Sequence, residues 1–369
     1  MVELVLHIGT GKTGTTSIQD FLFGNEKELR EQGIYLPKYG RQRTRCAYHR
    51  VACSLARSYP RHTEPHDSIE GYLSRQRKEL RHDIHTVLMS SEFFRGISKT
   101  AVRRLQETAL QHYSKVRIVL YLRRQDTYVE SSYKQIIKGG GVLTFHEAVD
   151  HGIGSRDWEQ LVNKWASVFG RENVIPRPFN KDLFVNGKLE DDFLSAIGAE
   201  PIERTAVATA RPTLSNVSLP NDLIEVKRRI NVIMGGLRGK PENGRLVKAL
   251  DAYKSKNGGG ASGSLFDLQQ HAEFLERFDE SNARLFQVAM PGQRNPLGWT
   301  YEELKSTPRW QGIRDDLFAA CLDFIEEVDP PLGAAIKDAT AVECHATAVG
   351  RVEPPNRDRP AIEGHAARA

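Results

Sequence analysis

Residues 2–22, VELVLHIGTGKTGTTSIQDFL, read as a strand, a glycine-rich loop and the start of a helix. The run Val2–Ile8 is mostly apolar and includes β-branched residues, which is typical of a buried parallel strand. Gly9–Gly14 then places three glycines around Lys12, and from Thr15 onward apolar residues recur at helical spacing. Loop amides, a helix N-terminus and a lysine together favour a phosphate or a similar anion as ligand.

The loop does not fit the P-loop that binds nucleoside triphosphates, which has a glycine, four residues and then Gly-Lys-Ser/Thr. Gly11-Lys12-Thr13 matches the end of that pattern, but Leu6 stands where its first glycine belongs. The run Lys12-Thr13-Gly14-Thr15-Thr16 instead resembles the 5′-phosphosulfate loop of the sulfotransferases that use 3′-phosphoadenosine-5′-phosphosulfate (PAPS). That family's pattern is Lys-Ser/Thr-Gly-Thr-Thr. The bland alternative is a glycine- and threonine-rich turn that only joins a strand to a helix.

The resemblance implies a donor site built by this loop. PAPS would be the donor and adenosine 3′,5′-bisphosphate the product, with no metal required. Lys12 would act on the bridging oxygen and count as catalytic. The implied donor-binding residues of the loop are Gly11, Lys12, Thr13, Gly14, Thr15, Thr16 and Ser17.

A second phosphate motif follows the third apolar run, which ends at Arg123, and Ser131 stands eight residues later. An arginine offers a bidentate fork to a phosphate, and a serine hydroxyl adds one donor. The pair resembles the 3′-phosphate motif of the sulfotransferases, which implies that Arg123 and Ser131 bind the 3′-phosphate. Arg124 and Ser132 have the same spacing one residue later, so the register of the motif stays open between the two pairs. Asp126 stands one residue earlier than the family's aspartate, and its expected role is to brace the loop.

The reaction also requires a general base, because an acceptor hydroxyl is a poor nucleophile until a positioned side chain takes its proton. The second apolar run ends in Ser90-Ser91-Glu92. In the sulfotransferases a strand at this place ends in a catalytic histidine or, in several members, a glutamate, which implies Glu92 as the base. His49 is the competing candidate, and either side chain can instead be a plain surface group. Ser90 and Ser91 are candidates for contact with the donor phosphate or the acceptor.

Apolar runs alternate with helical patterns along the first 200 residues, which predicts an α/β fold with a parallel sheet flanked by helices. The resemblance implies the P-loop-like sulfotransferase version of that fold. The predicted strands are Val2–Ile8, His85–Ser91, Val116–Leu122 and Asn173–Phe179, with a short extended piece at Gly33–Pro37. Ligands of such sheets bind at the carboxyl ends of the strands. Three polar clusters fall at those ends, at residues 9–16, 90–92 and 123–131.

We therefore expect residues 1–200 to form a PAPS-binding core. Residues 201–339 are predicted to be a helical extension of the same domain that covers the site. A late loop in this extension is expected to close over the donor through Arg211, Asn216 and Ser218. Residues 340–369 are rich in Ala, Pro and Arg without periodicity, which predicts a disordered tail.

The composition excludes several classes of protein. The chain has 369 residues, 27% of them charged, and a net charge of +5 that is not gathered into a basic stripe, so we expect no nucleic-acid partner. Four widely spaced cysteines form neither a CxxC pair nor a zinc pattern, so no metal is expected. The first strand begins at the N-terminus and no apolar run could span a bilayer. These features predict a cytoplasmic protein without signal peptide or membrane span.

The predicted function is transfer of the sulfuryl group from PAPS to an acceptor hydroxyl, by in-line attack assisted by a general base. The His, Tyr and Arg residues of segment 38–68 favour a carbohydrate or glycolipid acceptor, while a small phenol or alcohol stays open. Three alternatives are a small-molecule kinase with a divergent P-loop, a non-catalytic nucleotide-binding protein and a purely structural α/β domain. The patterns leave the oligomeric state open.

Overall fold

The computed structural model describes residues 1–60, 63–153, 156–202, 218–258 and 260–348. At the centre is a sheet of five parallel strands in the order β2-β3-β1-β4-β5. The strands are β1 (Glu3–His7), β2 (Ile34–Tyr35), β3 (Thr86–Ser90), β4 (Lys115–Leu122) and β5 (Val174–Pro178). The parallel sheet that the sequence predicts is confirmed, because each apolar run forms a strand close to its expected bounds.

Helices cover both faces of this sheet. They are α1 (Thr15–Gly24), α2 (Glu26–Glu31), α3 (His49–Cys53), α4 (Ile69–Lys78), α5 (Lys99–His112), α6 (Gln125–Lys138), α7 (Phe145–Asp150), α8 (Trp158–Phe169) and α9 (Leu189–Ile197). Leu4, Val5 and Leu6 of β1 are fully buried. A strand that is covered on both faces needs such a continuous apolar run, which explains the sequence pattern.

The central strand β1 lies between β3 and β4, with His7 aligned to Ser90 on one side and Val119 on the other. The segments that follow these three strands therefore meet at one end of the sheet. We call this region the carboxyl edge; it comprises residues 9–17, 91–96 and 123–124. Parallel sheets bind their ligands at this place, where the chain leaves neighbouring strands in different directions.

Residues 218–348 form a helical unit with a second hydrophobic core. Its helices are α10 (Asn221–Ile233), α11 (Pro241–Asn257), α12 (Leu268–Ala289), α13 (Tyr301–Ser306), α14 (Asp315–Val328) and α15 (Pro330–Ala348). Val129, Tyr133 and Ile137 recur every four residues along α6 and belong to this second core. One face of α6 thus packs on the helical unit, as the predicted C-terminal helical extension requires.

The sequence patterns do not predict α7, α11, α13 and α15, and they predict α1 and α2 as one helix that ends at Gly33. In α11 Asn243 and Gly244 stand in the first turn, so its start resembles a loop, although a proline at the first helical position is favourable. Leu246 and Leu250 of this helix are buried in the second core, and tertiary packing stabilises it. α15 runs through residue 340, where the tail was expected to begin. Among the described residues no helix is both long and apolar enough to cross a bilayer.

Candidate active site

The loop after β1 adopts a left-handed backbone conformation at three positions. The φ angles are 70° at Gly11, 56° at Lys12 and 71° at Gly14. A side chain at Gly14 would also clash, because its Cβ atom would lie 2.2 Å from Leu189 Cδ2. Gly14 is the N-cap of α1, where no side chain of the described residues caps the helix and no acidic residue stands in the first turn. The positive end of α1 is therefore open to an anion.

Lys12 brings a charge to the carboxyl edge without a carboxylate beside it. Its Nζ donates a hydrogen bond to Oε1 of Gln135 on α6 at 2.9 Å. Within the part of the chain that the structure describes, Lys12 forms no ion pair. Burial and, after it, the charges of Lys138 and Arg123 together lower the pKa of Lys12 to about 8. A bound anion would relieve this repulsion and stabilise the charged form.

The hydroxyl groups of the loop divide into bracing and available ones. Thr10 Oγ1 donates to a backbone carbonyl of β4 at 2.6 Å and lies 3.4 Å from Thr13 Oγ1, so both brace the loop. Thr15 Oγ1 is buried and has no hydrogen-bond partner among the described residues. Thr16 is half-buried and Ser17 is exposed. A buried hydroxyl without a partner is costly, and a ligand with an acceptor oxygen would satisfy it.

Arg123 connects the loop to α6. Its Nη1 donates to the backbone carbonyl of Lys12 at 3.1 Å, and its Nε donates to Thr127 Oγ1 at 3.0 Å. The guanidinium carbon lies 5.8 Å from the centre of the Phe179 ring. Burial lowers the pKa of Arg123 and the charges of Asp126 and Glu130 partly offset this, but no carboxylate of the described chain forms an ion pair with it. A phosphate would find this arginine already oriented and not neutralised.

One face of α6 turns toward the loop, opposite the face that packs on the helical unit. Thr127, Ser131 and Gln135 are four residues apart and therefore lie on one side of the helix. Thr127 contacts Arg123 and Gln135 contacts Lys12, which places Ser131 between these two contacts. Sequence reasoning missed Thr127 and Gln135, although counting in steps of four from Arg123 would have found both.

The neighbouring Arg124 differs from Arg123 because its charge is neutralised inside the protein. It pairs with Asp126 at 2.8 Å and with Glu303 of the helical unit at 2.6 Å. Burial raises the pKa of Asp126, but hydrogen bonds from His271 and Arg124 outweigh it and hold that pKa at about 2. Asp126 therefore braces the start of α6. Of the two possible registers of the arginine motif, the geometry favours the one with Arg123.

Glu92 and His49 lie close together beside the carboxyl edge. His49 contacts Ser91, the residue before Glu92, across 42 residues of chain. His49 Nε2 lies 3.9 Å from Glu92 Oε1, and His49 Nδ1 lies 2.9 Å from Ser91 Oγ. Gln19 Nε2 on α1 donates to Glu92 Oε2 at 3.4 Å, which links this carboxylate to the helix that follows the glycine loop. The Glu92 side chain is 37% exposed, so an acceptor can reach it.

Ser90 and Ser91 support the site from inside. Both are fully buried, and Ser90 Oγ lies 2.9 Å from His7 Nδ1 and 3.2 Å from Gln19 Nε2. Burial lowers the pKa of His7 to about 3, so its ring is neutral at physiological pH. The Ser90 hydroxyl thus has internal partners, and Ser91 Oγ contacts His49 Nδ1. The expected contact of the two serines with donor or acceptor stays a prediction.

The late loop that was expected to close over the donor falls mostly outside the described residues, which include neither Arg211 nor Asn216. Ser218 is exposed at the start of the helical unit, where its carbonyl accepts a hydrogen bond from Lys254 Nζ at 3.1 Å. The predicted contact of these three residues with the donor therefore stays a prediction.

Several polar side chains of segment 38–68 are used inside the fold. Arg41 and Arg45 form ion pairs with carboxylates of α2 and α1, at 2.9 and 2.6 Å. Tyr48 is fully buried, and its hydroxyl donates to a backbone carbonyl at 2.7 Å. These three side chains are not free to bind a sugar, which weakens the case for a carbohydrate acceptor that the composition of the segment suggested.

No model of a known protein family matches the chain. An uncharacterized protein of Archaeoglobus fulgidus is 30% identical over 221 residues, which are 59% of this chain and 57% of that protein. The chain thus spans little more than half the length of this relative. It is also similar to the crystal structure of a sulfotransferase from Alicyclobacillus acidocaldarius, at 16% identity and a TM-score of 0.40, covering 56% of this chain and 86% of that one. A structural similarity of this degree does not by itself indicate a function.

Proposed function

We propose that the protein is a PAPS-dependent sulfotransferase that sulfates an acceptor hydroxyl. The observation that supports this most is the arrangement of Lys12 and Arg123. Both are partly buried, neither forms an ion pair within the described residues, and one face of α6 contacts both. Two uncompensated cations beside an open helix N-terminus fit a ligand with two separate anionic groups, as PAPS has.

The residues present fit such a donor. The loop amides, Lys12 and the unpartnered Thr15 hydroxyl would hold the 5′-phosphosulfate, with Thr16 and Ser17 on the first turn of α1. Arg123 and Ser131 would hold the 3′-phosphate. Gly11 has open space where a Cβ atom would stand, so a ligand can approach its backbone closely.

When bound, PAPS supplies the sulfuryl group: the acceptor oxygen bonds to sulfur, the bond to the bisphosphate oxygen breaks, and Glu92 receives the acceptor proton. Lys12 and the loop amides would stabilise the negative charge that grows on the leaving oxygen. Because that charge is larger in the transition state than in the ground state, these contacts accelerate the reaction. His49 is the competing base, since it lies beside Glu92 at the same edge. A carbohydrate or glycolipid hydroxyl remains the proposed acceptor.

Calorimetric titration of the full-length protein with adenosine 3′,5′-bisphosphate tests the donor site. We expect binding to the wild type, and affinity roughly 10–100-fold weaker in Arg123→Ala, because a hydrogen bond to a charged group contributes about 1.5–3 kcal/mol. Arg103→Ala is the matched control, since Arg103 is exposed on α5. ATP with magnesium serves as the competing ligand. Binding of ATP-magnesium alone would instead support the kinase alternative, and binding of neither nucleotide would leave a fold without this function.

A further inference from the structure

A second group of cations lies at the carboxyl edge, and neither the loop nor α6 accounts for it. Arg95 stands three residues after Glu92 in the 3₁₀ turn that follows β3. Arg156 precedes α8, and its carbonyl accepts a hydrogen bond from Gln125 Nε2 at the start of α6, at 3.3 Å. The two arginines thus belong to the turn after β3 and to the segment before α8, which contacts the start of α6.

Part of each guanidinium group has no partner in the protein. The Nε atoms of Arg95 and Arg156 are buried and have no hydrogen-bond partner among the described residues. Neither side chain forms an ion pair within the described ranges. A buried N–H donor without a partner loses its hydrogen bond to water and gains none in exchange. An anion from outside would supply the missing acceptor.

The charges around these arginines are unbalanced. The pKa of Arg95 is lowered overall, mainly by burial. Tyr128 and Glu92 raise this pKa, and the charge of Arg156 lowers it further. Lys164 adds a third cation, because its Nζ donates to the carbonyls of Arg95 and Ile97 at 2.9 and 3.0 Å. Burial and the charge of Arg95 lower the pKa of Lys164 to about 8. Arg95 therefore interacts with two further cations, Arg156 and Lys164, and with one carboxylate, the proposed base Glu92.

Among the described residues, the side chains of this group share no hydrogen bond with Lys12 or Arg123. The hydrogen bonds of Lys12 and Arg123 run to the loop and to α6, and neither involves Arg95 or Arg156. The arginine pair is instead joined to Glu92 through the turn that bears both Glu92 and Arg95. An anion held here would lie on the side of the general base, where the acceptor must bind.

We propose that Arg95 and Arg156 form an anion subsite for the acceptor, which therefore bears a carboxylate, phosphate or sulfate ester besides the hydroxyl that reacts. This proposal rests on the proposed function, because it places the acceptor at Glu92. Planar guanidinium groups bind such oxyanions through paired hydrogen bonds, which fixes both position and orientation. Anchoring the acceptor at its anionic group would hold the hydroxyl beside the base and lower the entropic cost of the reaction.

The test is calorimetric titration with inorganic phosphate of protein saturated with adenosine 3′,5′-bisphosphate, at constant ionic strength. Saturation blocks the two phosphate positions of the donor but leaves its sulfuryl position open, so the arginine variants are needed to show which of the remaining positions phosphate occupies. We expect binding to the wild type and at least about tenfold weaker binding in Arg95→Gln and in Arg156→Gln, since each loses a charged hydrogen-bond donor. Arg103→Gln, which changes an exposed arginine of α5, should bind phosphate as the wild type does.

Melting temperatures distinguish an anion subsite from a purely structural role of Arg95. If Arg95 had a structural role, Arg95→Gln would lower the melting temperature measured without phosphate. We expect no decrease in melting temperature, because the variant removes an unpaired buried charge. Phosphate that binds both variants as tightly as the wild type, or does not bind at all, would overturn the subsite. The titration with bisphosphate alone is done first. If the bisphosphate does not bind, the proposed donor site is contradicted; if it binds, the phosphate titration decides the subsite.

Discussion

The cations on the two sides of α6 differ in whether they form ion pairs. Toward the carboxyl edge, Lys12 and Arg123 form no ion pair with any described residue. Toward the helical unit, a cavity of about 540 Å³ is lined by several arginines, and there Arg228 and Arg229 share Glu225 at 2.7 and 3.1 Å. None of the residues that line this cavity belongs to the proposed donor site. The proposal depends instead on the cations that lack a carboxylate partner at the carboxyl edge.

The helical side also orders its polar groups into a closed network. Arg309 Nη1 lies 2.8 Å from His271 Nδ1, and an arginine can only donate, so this ring nitrogen accepts. His271 Nε2 then bears the proton and donates to Asp126 Oδ2 at 2.8 Å. Asp126 in turn holds Arg124. Each of these side chains has a hydrogen-bond partner, so we interpret this network as a fixed support for the N-terminus of α6.

The largest effect is expected at Glu92. Glu92→Gln should lower turnover by about 10²–10⁴ and leave donor binding unchanged, because the amide cannot accept the acceptor proton. Glu225→Gln makes the same chemical change on the helical side and should lower the melting temperature without slowing transfer. If His49→Ala gives the large loss and Glu92→Gln does not, the histidine is the base. Equal losses in Glu92→Gln and Glu225→Gln would break the contrast between the two faces of α6.

The next effect concerns the charge of Lys12. Since its pKa is about 8, the lysine is protonated below pH 8 and loses its proton above it. Donor affinity should therefore fall by about tenfold per pH unit above pH 8, because binding then requires uptake of one proton. Lys12→Arg should move this decline to higher pH, and Lys12→Ala should bind weakly at every pH and lower turnover by about 10²–10³. Calorimetry between pH 6 and 10 measures the effect.

Two outcomes test this interpretation of Lys12. Lys254→Ala is the matched control, because Lys254 pairs with Asp251 on the helical side at 2.9 Å. This variant should show the wild-type pH profile. A decline near pH 8 that persists unchanged in Lys12→Arg would assign the titration to another group.

The smallest effect on transfer is expected at Lys227. Substitution of this lysine should instead change the stability of the protein measurably. This lysine is fully buried, where it donates to Asn231 Oδ1 and, at 2.8 Å, to Asn243 Oδ1. Asn231 in turn donates to carbonyls of Ile137 and Gly141 at the end of α6. Burial lowers the pKa of Lys227 to about 7, far below its value of 10.5 in the unfolded chain. Between these values the unfolded chain binds more protons than the folded protein.

The free energy of unfolding should therefore rise from pH 7 toward pH 10, by up to about 1.4 kcal/mol per pH unit from this group. Below pH 7 both states are protonated and the contribution to the slope vanishes. Lys227→Met should remove this slope in urea unfolding series, while Lys248→Met, at an exposed position of α11, should retain it. A wild-type slope that survives in Lys227→Met would contradict the assignment.

Much of the fold could be predicted because its signals are local. The apolar runs that form β1, β3, β4 and β5 are continuous in sequence, and glycines mark the ends of several helices. The glycine loop and its lysine are likewise contained in six residues. Helices such as α11 could not be predicted, because its first turn has poor helical propensity and its stability comes from burial against distant residues.

The sequence by itself determined the strand, loop and helix around Lys12, the parallel sheet, and the set of polar residues at its carboxyl edge. Tertiary structure decided which of these residues keep their charge available. It neutralised Arg124 and left Arg123 unpaired, and it brought Gln135 to Lys12 across 123 residues of chain. The physical reason is that backbone conformation depends on near neighbours in sequence. The partner of a charge is instead whichever group folding brings within a few ångströms.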